Sequence, residues 1–158
     1  MRGGGLLAVA AVAAVCGPPV ALAQRPISVS RTPRPELRVD VLGARRDMAV
    51  HAGAGVAMPV GTNVRLAALG GAGVAEGGRT SGRVELVSRV LLDPFGRQRW
   101  GFYAAAGLGV RWDEGRRGRS GVVALVGADA PRLGPVRPAL EVGVGGGWRV
   151  AAVVRGAK

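Results

Sequence analysis

Cysteine, histidine and lysine occur only once each in the 158-residue chain, as Cys16, His51 and Lys158. Zinc sites and thiol redox sites bring several cysteine or histidine side chains together. A single residue of each type cannot supply such a ligand set, so the sequence excludes both kinds of site. We therefore predict no metal ligands and no cofactor.

A catalytic serine would depend on His51, because a Ser-His-Asp relay needs a histidine base. Its candidate partners are Ser81, Ser88 and Ser120. Ser88 falls on the apolar face of a predicted strand, and the other two are predicted in loops, so we interpret His51 as a packed residue. The glycine-rich segments 53–55 and 70–73 are not followed by lysine, which excludes a phosphate-binding loop. The sequence predicts no catalytic residues and no enzyme.

Aromatic residues are also scarce: the chain has three Trp, two Phe and one Tyr. The net charge of +12 invites a nucleic-acid hypothesis, but nucleic-acid sites usually gather basic residues on one face beside stacking aromatics. Here 21 of the 22 basic residues are arginines scattered along the chain, with a dense group only at 116–119. The 28 glycines show no three-residue period, which excludes a collagen-like chain. We predict no nucleic-acid partner.

The first 23 residues have the three parts of a secretory signal peptide. A positive Met1-Arg2 start precedes the apolar run 6–15, and Ala21-Leu22-Ala23 provides small residues before a cleavage site at Gln24. A membrane anchor is the alternative, but this run is shorter than the roughly 20 residues that a spanning helix needs. Lipidation of Cys16 is disfavoured because Val15 precedes it. Cleavage would remove Cys16, and a disulfide framework with it.

Residues 24–35 are rich in proline, serine and arginine without periodicity, which predicts a flexible leader. From 36 to 158, residue properties alternate at every second position, as in β-strands. In the clearest segment, 99–112, one parity holds Trp100, Phe102 and Trp112, while the other holds arginines and glycines. The predicted strands cover 36–43, 48–58, 63–74, 83–92, 99–112, 119–129, 137–145 and 148–155.

The segments between these strands are short and mostly contain glycine, proline or aspartate, which suit tight turns. None could hold a crossover helix, so sequential strands should pair antiparallel. The prediction is an all-β fold, an eight-stranded up-and-down barrel whose closure removes both exposed edges.

The distribution of charge predicts a membrane barrel rather than a soluble one. Lipid-facing walls are apolar, and the lumen takes the charges. One face of the predicted strands is uncharged, and Trp100 and Trp112 bracket it as membrane-interface residues would. Arginines outnumber acids about two to one on the other face, and we expect them to plug the lumen. That face includes Arg38, Asp40, Arg65, Arg83, Glu85, Arg89, Arg99, Arg111, Asp129, Glu141, Arg149 and Arg155.

By strand number and alternation over residues 36–158, the chain resembles the OmpA/OmpX-type family of small outer-membrane barrels. The resemblance implies a bacterial outer-membrane location. Members of that family usually end in an aromatic residue, whereas this sequence ends in Lys158. A soluble periplasmic barrel or sandwich therefore remains an alternative.

Two functions remain open on these grounds. The first is a monomeric structural or surface-interaction barrel whose arginine-rich loops meet outer-membrane lipid, including lipopolysaccharide phosphates. Those loop arginines are Arg45, Arg46, Arg79, Arg116, Arg117 and Arg119. The second is a transport or binding barrel for a small anionic or apolar molecule. A packed interior favours the first function, and a cavity of several hundred Å³ favours the second.

Overall fold

The computed structural model describes residues 32–44, 47–94 and 99–156. The predicted signal peptide, its cleavage site and most of the predicted leader lie outside these residues. Eight β-strands account for most of the described chain, and one 3₁₀ turn, Glu76–Gly78, separates β3 from β4. The strands are β1 Arg34–Ala44, β2 Asp47–Pro59, β3 Val64–Ala75, β4 Arg79–Leu91, β5 Gly101–Asp113, β6 Arg119–Asp129, β7 Val136–Val144 and β8 Trp148–Gly156.

The eight strands form a closed antiparallel barrel. Each strand pairs with the next along the chain, and β1 pairs with β8 to complete the ring. The predicted eight-stranded meander is therefore confirmed. We call the end of the barrel that contains Arg34 and Gly156 the terminal end, and the opposite end the distal end. The β1–β2, β3–β4, β5–β6 and β7–β8 turns lie at the distal end.

Side chains alternate between a buried inner wall and an exposed outer wall along the central part of each strand, because successive side chains of a strand point to opposite faces. The sequence of β6 is apolar on both faces, and the structure shows which face is which: Val123 and Leu125 are buried, while Val122 and Val126 are exposed. An apolar layer accompanies the charged residues inside the barrel. It comprises Ala57, Ala67, Leu69, Val87, Ala105, Val123 and Leu125.

Several inward glycines are required by the close approach of neighbouring strands. A Cβ atom at Gly73, Gly107 or Gly143 would overlap a carbonyl oxygen of the adjacent strand. The sequence suggests a different reason, room for arginines that cross the lumen. Even at Gly71, which lies beside Arg83, an added Cβ would be nearer to the carbonyl oxygen of Ala52 (3.2 Å) than to Nε of Arg83 (3.5 Å). Glycine therefore mainly permits the tight curvature of a narrow barrel, as glycine kinks do in designed sheets.

Aromatic rings cover glycines of neighbouring strands on the outer wall. Outside the barrel, the ring of Trp112 lies against Gly82, where an added Cβ would be 2.5 Å from Cε2 of the indole. Trp148 covers Gly43 in the same way. Both tryptophans are about half exposed and lie near the distal end. The two glycines thus seat the rings flat on the outer wall.

Three of the predicted strand starts lie two or more residues from those in the structure. β4 begins at Arg79 rather than at residue 83, because Gly77 and Gly78 adopt positive φ angles and complete the turn earlier. Ser81 consequently lies in a strand and not in a loop. Ser120, also predicted in a loop, lies in β6. β5 begins at Gly101, so Arg99 precedes the strand and is exposed instead of belonging to the inner wall. β1 starts at Arg34, which takes the last two residues of the predicted leader into the barrel.

Candidate functional site: the charged barrel interior

Among the described residues, five arginines and six carboxylates are buried. They are Arg38, Arg83, Arg89, Arg149 and Arg155, with Glu36, Asp40, Glu85, Asp113, Asp129 and Glu141. A buried charge is tolerated only when it is paired and hydrogen-bonded. The near balance of the two signs makes such pairing possible, and charged side chains fill the interior, as predicted.

Two glutamates organise the half of the interior nearer the terminal end. Glu36 accepts a forked pair of hydrogen bonds from Arg89, with Nη–Oε distances of 2.6 and 2.7 Å. Glu141 accepts hydrogen bonds from Nη2 of Arg155 at 2.7 Å and from the Tyr103 hydroxyl at 2.8 Å, and also from Arg38. Bidentate guanidinium–carboxylate contacts are among the strongest hydrogen-bonded pairs in proteins.

Arg155 connects the ion pairs of Glu36 and Glu141 to the terminal mouth. Its guanidinium lies over the ring of Tyr103, 4.8 Å from the centroid, and it also pairs with Asp129. Its Nε donates to Glu36 at 3.3 Å. One arginine thus joins carboxylates from β1, β6 and β7.

Asp40 and Glu85 organise the half nearer the distal end. Glu85 accepts hydrogen bonds from Nη1 of Arg149 at 2.8 and 2.9 Å, and one from Arg83 at 3.2 Å. Asp40 accepts a hydrogen bond from Arg83. The Nε of Arg38 lies 3.5 Å from Asp40, so Arg38 reaches both halves of the network.

His51, Ser81 and Asp113 form a buried hydrogen-bonded chain below the distal mouth. Nε2 of His51 lies 2.8 Å from Oγ of Ser81, and that hydroxyl donates to Oδ1 of Asp113 at 2.5 Å. The single hydroxyl proton is committed to Asp113, so in this arrangement the histidine donates to Oγ instead of accepting its proton. A serine nucleophile needs the opposite polarity.

Apart from Arg99, the sequence predicts the face of the charged residues in the strands, but it does not predict the balance of charge inside the barrel. It predicts four interior acids, and the structure adds Glu36 and Asp113. Arg65 and Arg111 are only partly buried and lie at the barrel mouths. The predicted two-to-one excess of arginine is therefore wrong for the middle of the barrel, because the surplus cations collect at its ends. Glu36 shares the parity of Arg38 and Asp40, which is the signal that locates it.

Two small cavities open from the mouths toward the interior. One of about 80 Å³ lies at the distal mouth, between Arg83, Arg111 and Asp113 on one side and Gly145 on the other. Another of about 20 Å³ lies at the terminal mouth. A larger depression of about 630 Å³ runs along the outer wall beside Leu86 and Leu108, which point away from the lumen. The interior cavities thus fall short of the several hundred Å³ expected for a ligand-binding lumen.

The described residues contain no group of three or more histidine, cysteine, aspartate or glutamate side chains arranged to hold a metal ion. No helix within the described part of the chain is long and apolar enough to cross a membrane.

Comparison with known proteins shows the fold. No family model and no curated protein matches the chain. A chain described as "De novo design of transmembrane beta-barrels" is 17% identical, with a TM-score of 0.52 over 78% of this chain and 93% of that chain. The N-terminal β-barrel domain of Pseudomonas aeruginosa OprF is 14% identical, with a TM-score of 0.49 over 78% and 96%. The designed protein TMB2.3 is 11% identical, with a TM-score of 0.49 over 81% and 97%. The first of these likenesses indicates that the chain shares the fold of a designed transmembrane β-barrel.

Proposed function

We propose that the protein is a small bacterial outer-membrane β-barrel with a structural or surface-interaction role, and that its charged interior closes the lumen. One observation carries the proposal: the barrel is apolar outside and charged inside. Among the residues that the structure describes, twenty-seven large apolar side chains are exposed, including Leu37, Leu86 and Leu108, each at least 59% exposed. A soluble monomer rarely exposes so extensive an apolar surface, whereas a lipid-facing wall requires one.

Closure of the barrel supports the same proposal. Every strand has two neighbours, so backbone groups along the wall find partners within the barrel. Backbone groups in the hydrocarbon layer must be satisfied internally, which only helices and closed barrels achieve. Tryptophans at the two ends of the outer wall, Trp100 on one side and Trp112 and Trp148 on the other, suit the membrane–water interfaces.

The distal loops are the part of the molecule that we propose to contact anionic lipid. Arg117 and Arg119 are exposed there, and among the described residues neither forms an ion pair. Arg79 and Arg116, by contrast, both pair with Asp47. The proposed lipid contacts therefore fall mainly on Arg117 and Arg119, while Arg45 and Arg46 lie outside the described residues.

Cell fractionation combined with gel migration tests this function. We expect the protein in the outer-membrane fraction, and we expect it to resist SDS until heated, because a closed barrel offers detergent no free edge to open. Unheated and boiled samples should then migrate differently. Recovery in the periplasmic fraction, with identical migration of both samples, would support the soluble alternative.

The small interior cavities favour the structural role over transport. Eight strands enclose a space that side chains can fill, and an aqueous channel generally needs about sixteen. Here ion pairs between facing strands occupy that space, such as Arg149 of β8 with Glu85 of β4 and Arg89 of β4 with Glu36 of β1.

A further inference from the structure

An excess of arginine surrounds the terminal mouth of the barrel. The small cavity there is lined by five arginines and a single carboxylate, Asp129. We call Arg34, Arg65, Arg132 and Arg137 the terminal-mouth arginine cluster; Arg155 is the fifth arginine of the lining. Asp129 pairs with Arg155, so this carboxylate is already engaged.

The four arginines of the cluster have no ion pair within the described residues. Nε of Arg137 is in addition buried without a hydrogen-bond partner in the described chain. Two of the four stand directly opposite another arginine across the sheet: Arg65 opposite Arg89, and Arg137 opposite Arg155. Like charges in such positions repel one another. Glu36 and Glu141 neutralise Arg89 and Arg155. The acid whose charge reaches Arg65 is Asp129, which already pairs with Arg155.

The distal mouth provides an internal comparison. Its arginines are also numerous, but several are neutralised. Arg79 and Arg116 pair with Asp47, and Nη2 of Arg111 lies 3.0 Å from Oδ1 of Asp113. A general surplus of arginine in the chain therefore does not explain the unpaired arginines of the terminal mouth. Of the two mouth cavities, only the terminal one is lined by far more arginines than carboxylates.

We propose that the terminal-mouth arginine cluster binds a phosphate group. Guanidinium groups present planar forks of donors that match phosphate oxygens, and several forks can share one phosphate. A multiply charged anion would relieve the repulsion among four unpaired cations better than a single carboxylate could.

The size of the cavity defines how the phosphate sits. A volume of about 20 Å³ holds little more than one water-sized group. One phosphate oxygen therefore enters the mouth, while the remaining oxygens meet the more exposed Arg132 at the rim. Such a group can belong to free phosphate or to a lipid headgroup, and in neither case does it pass through the barrel.

The test uses the full-length protein in a nonionic detergent, with inorganic phosphate as the probe and chloride keeping the ionic strength constant. Phosphate should raise the thermal unfolding temperature and bind saturably in calorimetry. The variant R65Q/R137Q should bind phosphate at least tenfold more weakly. The matched control R117Q/R119Q removes the same charge from the distal mouth and should bind like the wild type.

A difference in gel migration between unheated and boiled samples shows that each variant is folded. The single substitution R132Q, at an exposed arginine, should weaken phosphate binding by a smaller factor than R65Q/R137Q. The proposal is overturned if phosphate acts no differently from chloride, or if the distal variant loses binding as much as the terminal one. Native mass spectrometry with phosphatidic acid separates the two sources. Retention of the lipid by wild type but not by R65Q/R137Q identifies a headgroup site, and phosphate binding without lipid retention identifies a site for the free anion. Because this binding is measured in micelles, its failure is distinguishable from failure of the proposed membrane location.

Discussion

Replacing Glu141 by glutamine should destabilise the barrel by about 3–5 kcal/mol, the usual cost of breaking a buried ion pair. Glu141 is fully buried and accepts hydrogen bonds from Arg38, Arg155 and Tyr103. The amide has nearly the same shape, so packing is kept while the negative charge is lost. Arg155 still has Glu36 and Asp129, but Arg38 keeps only longer approaches, 3.5 Å to Asp40 and 3.8 Å to Glu36. Most of the loss of stability should therefore come from the buried charge of Arg38, which is left without a close partner.

Equilibrium urea unfolding in lipid vesicles, followed by tryptophan fluorescence, measures this cost. The control is E114Q, which removes the same charge from the exposed distal turn and should change stability by no more than about 0.5 kcal/mol. The double variant E141Q/R38Q should recover part of the loss, because the uncompensated charge on Arg38 is then gone. A loss for E141Q no larger than that for E114Q, or a double variant less stable than the sum of the single ones, would refute the reasoning.

Three further predictions follow from other parts of the chain. The exported protein should begin at Gln24, and its intact mass from the native host would disprove this if residues 6–15 were still present. G107A should lower the free energy of unfolding by about 1–3 kcal/mol in the same assay, because the new Cβ would overlap the backbone of β4. The control G121A adds a Cβ in open space and should be near neutral. Equal effects of the two substitutions would contradict the explanation that glycine permits the curvature. Reconstituted in a planar bilayer, the protein should show no steady conductance of porin size, since ion pairs fill its lumen. Such a conductance would instead support the transport alternative.

The sequence predicts the barrel well because alternation of charge is a strong signal. Charged residues at alternate positions of a strand all point to the same wall of the barrel, so one charged residue indicates which wall each neighbouring residue faces. Strand ends are harder to place. Thr80, Ser81 and Gly82 are small or polar and look like turn residues, yet Ser81 pairs with Asp113 across β4 and β5. The two preceding glycines already complete the reversal, a distinction that composition alone does not reveal.

The partners inside the lumen could not be predicted from the same alternation. Parity places Arg89 and Glu36 on the inner face, but their pairing depends on the tilt and register of the closed barrel, which bring β1 opposite β4. The surplus of arginine at the mouths depends on the same geometry. Arg65 and Arg89 stand opposite each other on β3 and β4, yet Arg89 is buried in an ion pair with Glu36, whereas Arg65 is only partly buried at the rim. This difference depends on the packing of the closed barrel, which alternation does not show.

The ion pairs offer a physical reason for the register itself. Lipid solvates an apolar outer wall equally well in many registers, so hydrophobicity alone does not distinguish a strand shifted by two residues from the native one. A shift of two residues keeps every side chain on its face but moves Arg149 away from Glu85 and Arg89 away from Glu36, which leaves buried charges without partners. Pairs that cross from β8 and β1 to β4 also require the ring to be closed. We infer that the charged interior selects a single register and closure, and that the contacts of Trp112 with Gly82 and of Trp148 with Gly43 on the outer wall favour the same register.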